Sequence, residues 1–414
     1  MKLFQLLLPV VFLAAATPVV RADELNDYLT EAAQNNPGLE AAFNNWKAAL
    51  ERVPQVTALP DPRFNYGYFI QEVETRVGPQ RQKFGISQVF PWFGKLSLRG
   101  DAAMEMAEAE HQRYKQAKLN LFYRVKSAFF EYDYLHRSTE ITLQHLILLQ
   151  NMEEVARTRF QTGEVQQSAL LQLQVELGKL DDKLRALEAL RVPAAIRLSA
   201  ALNRPSGEPL PWPQSEEKTL AVFSDDEAQQ WLKDSSPELK QVDAMIRKET
   251  DAAALARKAR YPDIMLGLDY TQTDEALMST PDSGKDPLMA SVSINLPIWF
   301  GKLKAGEQEA AYRRAAAEEL RVDAGNRLRA DLQMALYNFR DAERKMNLYS
   351  DTLIPKAQQS LEVTREGFES GSLGFTALIE AQRTLLEFQL AADRAVADRE
   401  IRLAEIEMLT GREF

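Results

Sequence analysis

The side chains able to do chemistry are few and scattered. The 414-residue chain holds three histidines and no cysteine. His111, His136 and His145 stand 25 and 9 residues apart, so no two share the i, i+4 spacing that sets a pair of ligands on one metal. They suit surface or seam positions of a helix. Absence of cysteine removes disulfides, thiolate metal sites and the lipid-accepting cysteine of a bacterial lipoprotein. Carboxylates are abundant, but they fall in helical charge patterns from which no acid–base pair stands out. Neither a glycine-rich phosphate loop nor a nucleophile elbow is present. These observations exclude an enzyme and give no reason to expect a catalytic residue, metal or cofactor.

What recurs instead is a short aromatic stretch. Phe90-Pro91-Trp92-Phe93-Gly94-Lys95-Leu96 returns as Leu296-Pro297-Ile298-Trp299-Phe300-Gly301-Lys302-Leu303. Each copy follows an alternating apolar run and precedes a long helical one. Proline cannot donate to a continuing ladder, the aromatic residues suit a membrane–water interface, and glycine lets the backbone turn. Both copies therefore read as strand-to-helix exits, with Pro91, Trp92 and Gly94 in one and Pro297, Trp299 and Gly301 in the other.

The copies belong to a tandem duplication. Pro37, Pro62 and Gly67 pair with Pro237, Pro262 and Gly267 at an offset of 200. Gly94 and Gly301 lie 207 apart, and Phe160-Gln-Thr-Gly163 matches Phe368-Glu-Ser-Gly371 at 208. The resulting organisation is a leader over 1–22, a first repeat over 23–204, a connector over 205–227 and a second repeat over 228–414. Lys2, the apolar run from Leu3 to Ala16 and the small-residue site at Val20-Arg-Ala22 make the leader a secretory signal peptide. The connector is polar and rich in proline. The formal net charge of −10 becomes −12 once Lys2 and Arg21 leave with the leader, which argues against a nucleic-acid partner.

Each repeat runs in one order. A first helix is broken at Asn36-Pro37, or at Ser236-Pro237 in the second repeat. Strand pairs follow over about 63–90 and 263–297. Phe64, Tyr66, Tyr68 and Ile70 alternate with mostly polar or small residues, and Ile264, Leu266, Leu268 and Tyr270 do so more cleanly. That alternation suits lipid on one side and water on the other, and a soluble sandwich would share it. Long helices follow over 95–162 and 302–370, the second interrupted only by Pro355. Nearly 70 residues span roughly 100 Å. Leu328, Leu332, Ala335, Phe339 and Ala342 carry a coiled-coil seam, with Leu121, Val125, Ala128, Tyr132 and Leu135 as its counterpart. Gly163 and Gly371 end these helices, and return helices run over about 165–203 and 373–410.

The whole mature chain resembles the TolC-like outer-membrane efflux channels. The resemblance rests on the duplicated halves, on Gln88-Val-Phe-Pro-Trp-Phe-Gly-Lys95 and its echo, and on the tips Arg159-Phe-x-x-Gly163 and Gly367-Phe-x-x-Gly371. It implies a mainly α fold with a small β part: long helical hairpins forming a periplasmic α-barrel, and four strands per protomer completing a shared twelve-stranded barrel in a homotrimer. It also implies a passive exit duct in the outer membrane of a Gram-negative bacterium. Outer-membrane lipid, a periplasmic adaptor and an inner-membrane pump of the resistance-nodulation-division type would be its partners. Gly163, Glu164, Gly371 and Ser372 would meet the adaptor. Family members close the periplasmic end with polar or acidic residues beyond the second tip, a place held here by Glu380 and, in the first half, by Gln172. Ala377 stands where a second acid is expected. The chain length and the form of the junction look most like the heavy-metal branch, which implies metal cations as cargo, with organic drugs or toxins as the alternative. A periplasmic adaptor would carry one hairpin, not two, and a stand-alone porin would need at least eight strands.

Overall fold

A computed structural model describes residues 24–205, 210–213, 222–278 and 280–413. The expected leader, 1–22, lies outside the described residues, as does part of the connector. The elements in order are α1 (Glu24–Asn35), α2 (Pro37–Thr57), β1 (Arg63–Val73), β2 (Gln80–Phe90), α3 (Lys95–Gln161), α4 (Gln167–Leu202), α5 (Asp225–Ser235) and α6 (Pro237–Lys258). They continue as β3 (Ile264–Thr273), β4 (Leu288–Ile294), α7 (Phe300–Leu348), a π-helical turn (Tyr349–Leu353), α8 (Ile354–Glu369) and α9 (Phe375–Thr410).

The breaks have local causes. Asn36 caps α2, its side-chain oxygen accepting from the backbone of Gly38 at 2.9 Å and Leu39 at 3.1 Å, while Pro37 takes the first helical turn. Ser224 and Glu227 form a reciprocal capping box at the start of α5. The second long helix widens into the π turn immediately before Pro355, whose ring lacks an N–H and crowds the carbonyl four residues back. Its first-half counterpart α3 has no proline and runs unbroken for 67 residues, about 100 Å.

Two similar cores follow from the duplication. In the first, Tyr28, Leu29 and Ala32 of α1 pack on Leu121, Val125, Phe129 and Tyr132 of α3 and on Leu198 and Leu202 of α4. In the second, Ala228 and Leu232 of α5 pack on Leu328, Leu332, Leu336 and Phe339 of α7 and on Leu403 and Ile406 of α9. A third cluster near the hairpin tips joins the halves, with Leu149 of α3, Leu173 and Leu180 of α4, Phe368 of α8 and Phe375 and Leu378 of α9.

The four strands form one antiparallel sheet in the order β1-β2-β3-β4. The halves meet at β2 and β3, where Phe84 faces Tyr270 and Ile86 faces Leu268. Register places Phe64, Tyr66, Phe84, Ile86, Leu266, Leu268 and Val292 on one face, because side chains alternate along a strand. That face is open to the surroundings, with Phe64 69% and Val292 71% exposed. The opposite face carries Gly85, Gly267, Ser291 and the Lys83–Asp269 ion pair at 3.3 Å. A Cβ at Gly85 would meet the Asp269 carboxylate at 2.6 Å.

Here the structure corrects an expectation. The sheet is open and is not closed into the twelve-stranded barrel: β1 and β4 are its two edges. Four strands of 7 to 11 residues supply too little twist and stagger to curl back on themselves.

Candidate functional site

The two aromatic junctions, alike in sequence, are built differently. At the first, Gly94 adopts φ +78° and starts α3, a conformation that glycine reaches without steric cost. One carboxylate oxygen of Asp263, just before β3, accepts from the Trp92 backbone N–H at 2.8 Å and from the Lys95 ammonium at 2.7 Å. Lys95 also donates to the Tyr261 carbonyl at 2.8 Å, and the Trp92 ring stacks on Tyr261 at 5.4 Å. Burial would raise the Asp263 carboxyl, but the bonds from Lys95 and Trp92 outweigh it and hold it below the ordinary range. The end of β2 is thereby clamped to the start of β3. At the second junction the helix begins at Phe300, Gly301 is already helical, and Ile298, Trp299 and Phe300 are exposed. Pro297 precedes this turn. Lys302 is exposed and has no counterpart of the Asp263 clamp among the described residues.

Both hairpin tips reverse in the same way. Gly163 at φ +82° and Gly371 at φ +76° follow the last helical turn. The Glu164 and Ser372 amides then donate back to the Arg159 and Gly367 carbonyls at 2.8 and 2.9 Å, closing otherwise unpaired helix ends. Nothing lies within 4 Å of a Cβ built at either tip glycine. Arg159 joins the two tips. It donates to the Phe368 and Glu369 carbonyls at 2.9 and 3.2 Å, and its guanidinium lies 4.8 Å from the Phe368 ring. At the repeat-related position stands Gly367, over which Leu373 folds so closely that a Cβ would meet it at 2.6 Å.

Glu380 is exposed on α9 and Gln172 is exposed on α4. The structure brings their helices together through two cross-links. Thr376 donates to the Gln172 side-chain oxygen at 3.2 Å, and Arg383 pairs with Glu176 at 2.7 Å. Glu380 lies between Thr376 and Arg383 at i, i+4, i+7 spacing, on the same helix face.

The histidines do not converge. His111 stacks on Trp46 at 4.3 Å and His136 on Trp212 at 4.7 Å. His145 is buried, its Nε2 donating to Gln389 Oε1 at 2.6 Å and its Nδ1 accepting from the Gln382 amide. Burial pushes its pKa down, and Lys183 adds to that effect against the bond to Gln389, so the ring is neutral at pH 7. No group of three acidic or histidine side chains able to hold a metal occurs among the described residues.

Sequence reasoning singled out Gly94, Gly163 and Gly371 but missed the Asp263 clamp, the Arg159 link and the His145 node. Two of these coincide with breaks in the repeat: Asp263 stands opposite Arg63 at offset 200, and Arg159 opposite Gly367 at 208. A change of charge between duplicated positions was the available signal.

Helical hairpins whose outgoing arms run about 100 Å, rooted in a sheet with an exposed apolar face, define a protein of the outer-membrane efflux-channel type. The sequence profile of the outer membrane efflux protein family matches residues 28–204 and 229–412, and the chain belongs to that family. It is an outer-membrane protein and not an enzyme. The cobalt-zinc-cadmium resistance protein CzcC of Cupriavidus metallidurans is 21% identical over 375 residues, covering 87% of this chain and 84% of that relative. The outer membrane protein VceC of Vibrio cholerae shares the fold with a TM-score of 0.77 at 16% identity, over 94% of this chain and 97% of that one. A membrane protein of Pseudomonas aeruginosa does so with a TM-score of 0.79 at 17% identity, over 94% of each chain.

Proposed function

We propose that the protein is the passive exit duct of a tripartite efflux assembly, working as a homotrimer in the outer membrane of a Gram-negative bacterium. The observation that carries this reading is the continuity of an exposed apolar sheet with two hairpins too long for a compact core. The apolar face meets lipid, and the hairpins cross the periplasm. No helix among the described residues is long and apolar enough to span a membrane, so the sheet is the part suited to lipid. The tips, with Gly163, Glu164, Gly371 and Ser372 at their ends, meet a periplasmic adaptor joined to an inner-membrane pump. Glu380 and Gln172 flank the passage above them.

Organic drugs or toxins are the cargo class we favour over metal cations. The fold is shared over 94% of this chain with outer-membrane channels of other bacteria, so the duct architecture itself carries no preference for metals. The metal reading rests on the chain length, on the form of the aromatic junction and on the relative CzcC, whose 21% identity is too distant to transfer a substrate.

The test is growth inhibition of a strain lacking the gene, compared with its parent, across organic toxicants and transition-metal salts. Sensitivity to organic compounds, restored by the intact gene, supports the reading. Sensitivity confined to metals overturns the cargo and leaves the duct. Full resistance to both panels, in a strain shown to express the pump and adaptor, overturns the duct as well.

A further inference from the structure

We propose that the cavity between α3, α4 and α9 binds a small organic acid, an apolar body carrying one carboxylate. The cavity encloses about 410 Å³, within the range typical of small-molecule sites. It is set back from the tips: His145 at its floor lies 16 residues before the end of α3, about 24 Å along the helix.

Its lining has two chemistries. Leu149, Leu180, Ile379 and Leu386 form apolar walls, while Lys179, Lys183 and Arg383 face them with Glu176 as the one carboxylate among the lining residues. In a chain of net charge −10 this is a local reversal of sign. Glu176 is already committed twice, to Lys179 at 3.0 Å and to Arg383 at 2.7 Å. Lys183 makes no ion pair among the described residues; its residue is exposed overall, but partial desolvation of its amine against α9 lowers its pKa, against the pull of Glu387. A bound carboxylate would supply the missing countercharge.

A second observation points the same way. Gln382 is 3% exposed and lines this cavity. One end of its amide bonds His145, but the other, Oε1, is buried without a partner. An unpaired buried amide atom is costly, and the two ends of an amide exchange by a flip. With the Gln382 and Gln389 amides flipped together, His145 takes its other tautomer: its Nδ1–H donates to Gln382, its bare Nε2 accepts from the Gln389 amide, and Gln382 offers its NH₂ to the ligand. The site needs only the packing of three helices of one chain, so its occupancy can be read without transport through the duct.

The test uses the full-length protein in detergent with three probes of one shape: phenylbutyrate, phenylbutanol and phenylbutylamine. Selective labelling of the three histidines, with His145→Gln to assign the signal, gives a local readout by nuclear magnetic resonance. Phenylbutyrate is expected to move the His145 resonance saturably and leave His111 and His136 unmoved. The alcohol and the amine should bind at least about tenfold more weakly, and Lys183→Ala should lower phenylbutyrate affinity about tenfold while Lys183→Arg preserves it. Equal binding of the three probes, an unmoved His145 resonance, or an affinity indifferent to Lys183→Ala each overturns the proposal. Lys183 is exposed on α4, and an unchanged melting profile of each variant confirms that the fold is retained.

Discussion

Replacing Asp263 by alanine should loosen the first strand-to-helix junction, and the size of the effect follows from its partners. The substitution removes the acceptor for two hydrogen bonds, from the Trp92 N–H and the Lys95 ammonium. Lys95 has a side chain only 7% exposed and would keep the Tyr261 carbonyl alone. Breaking a buried pair on one side costs about 3–5 kcal/mol. The Asp263 carboxylate is 29% exposed, so water recovers part of that, and we expect about 2–3 kcal/mol. Asp263→Asn keeps an acceptor without the charge and should lose about 1–2 kcal/mol. The assay is amide hydrogen exchange at Trp92 and the first turn of α3, where Asp263→Ala should accelerate exchange about 30- to 150-fold. Combined with Lys95→Met, the double variant should lose about 1–2 kcal/mol less than the sum of the singles. Unchanged exchange at these amides, or strict additivity, would refute the reasoning. The pH dependence has a definite sign. Because the folded Asp263 pKa is depressed, its contribution is present above the unfolded value of about 3.9 and is lost as pH falls through the lower folded value. Protection at the junction should therefore drop below about pH 4 in the native sequence, and this acid limb should vanish in Asp263→Ala.

Arg159→Ala should free the second tip from the first, costing about 1–2 kcal/mol and raising exchange at residues 370–373. Arg159→Lys should recover little, since one ammonium cannot reproduce the fork to two carbonyls; full recovery by lysine would contradict this. Gly371→Ala pays only the conformational cost of φ +76° in open space, about 1–2 kcal/mol. Gly411→Ala should lower the melting temperature further, because at φ +74° its Cβ would also meet the Ser235 carbonyl at 2.8 Å. In planar bilayers, Glu380→Gln should reduce cation over anion permeability if three such carboxylates flank the duct. An unchanged ratio would leave Glu380 an ordinary helix-surface residue.

Much of the architecture is written locally. Asn36-Pro37 and Ser236-Pro237 break the first helices because proline lacks a donor wherever it stands, and Pro355 marks the place where the second long helix distorts. The seam residues Leu121 to Leu135 and Leu328 to Ala342 are buried as their four-three spacing requires. Alternation in the strands likewise foretold one apolar and one polar face. These features depend on neighbours within a turn or two of the chain, so periodicity alone reveals them.

Tertiary structure decided what depends on partners distant in sequence. Asp263 meets Lys95 across 168 residues and Arg159 meets Phe368 across 209, and no local pattern encodes either distance. It also decided that Gly94 turns the chain while Gly301, its sequence twin, lies within a helix. The sheet remained open, although its strands looked like parts of a barrel, because four strands supply too little twist and stagger to close on themselves. By itself the sequence determined the elements and their duplication through short-range sterics and hydrophobic period. Which duplicated positions became clamps, links or cavity walls was settled only when the two halves packed, since burial and charge pairing arise between surfaces that local sequence does not bring together.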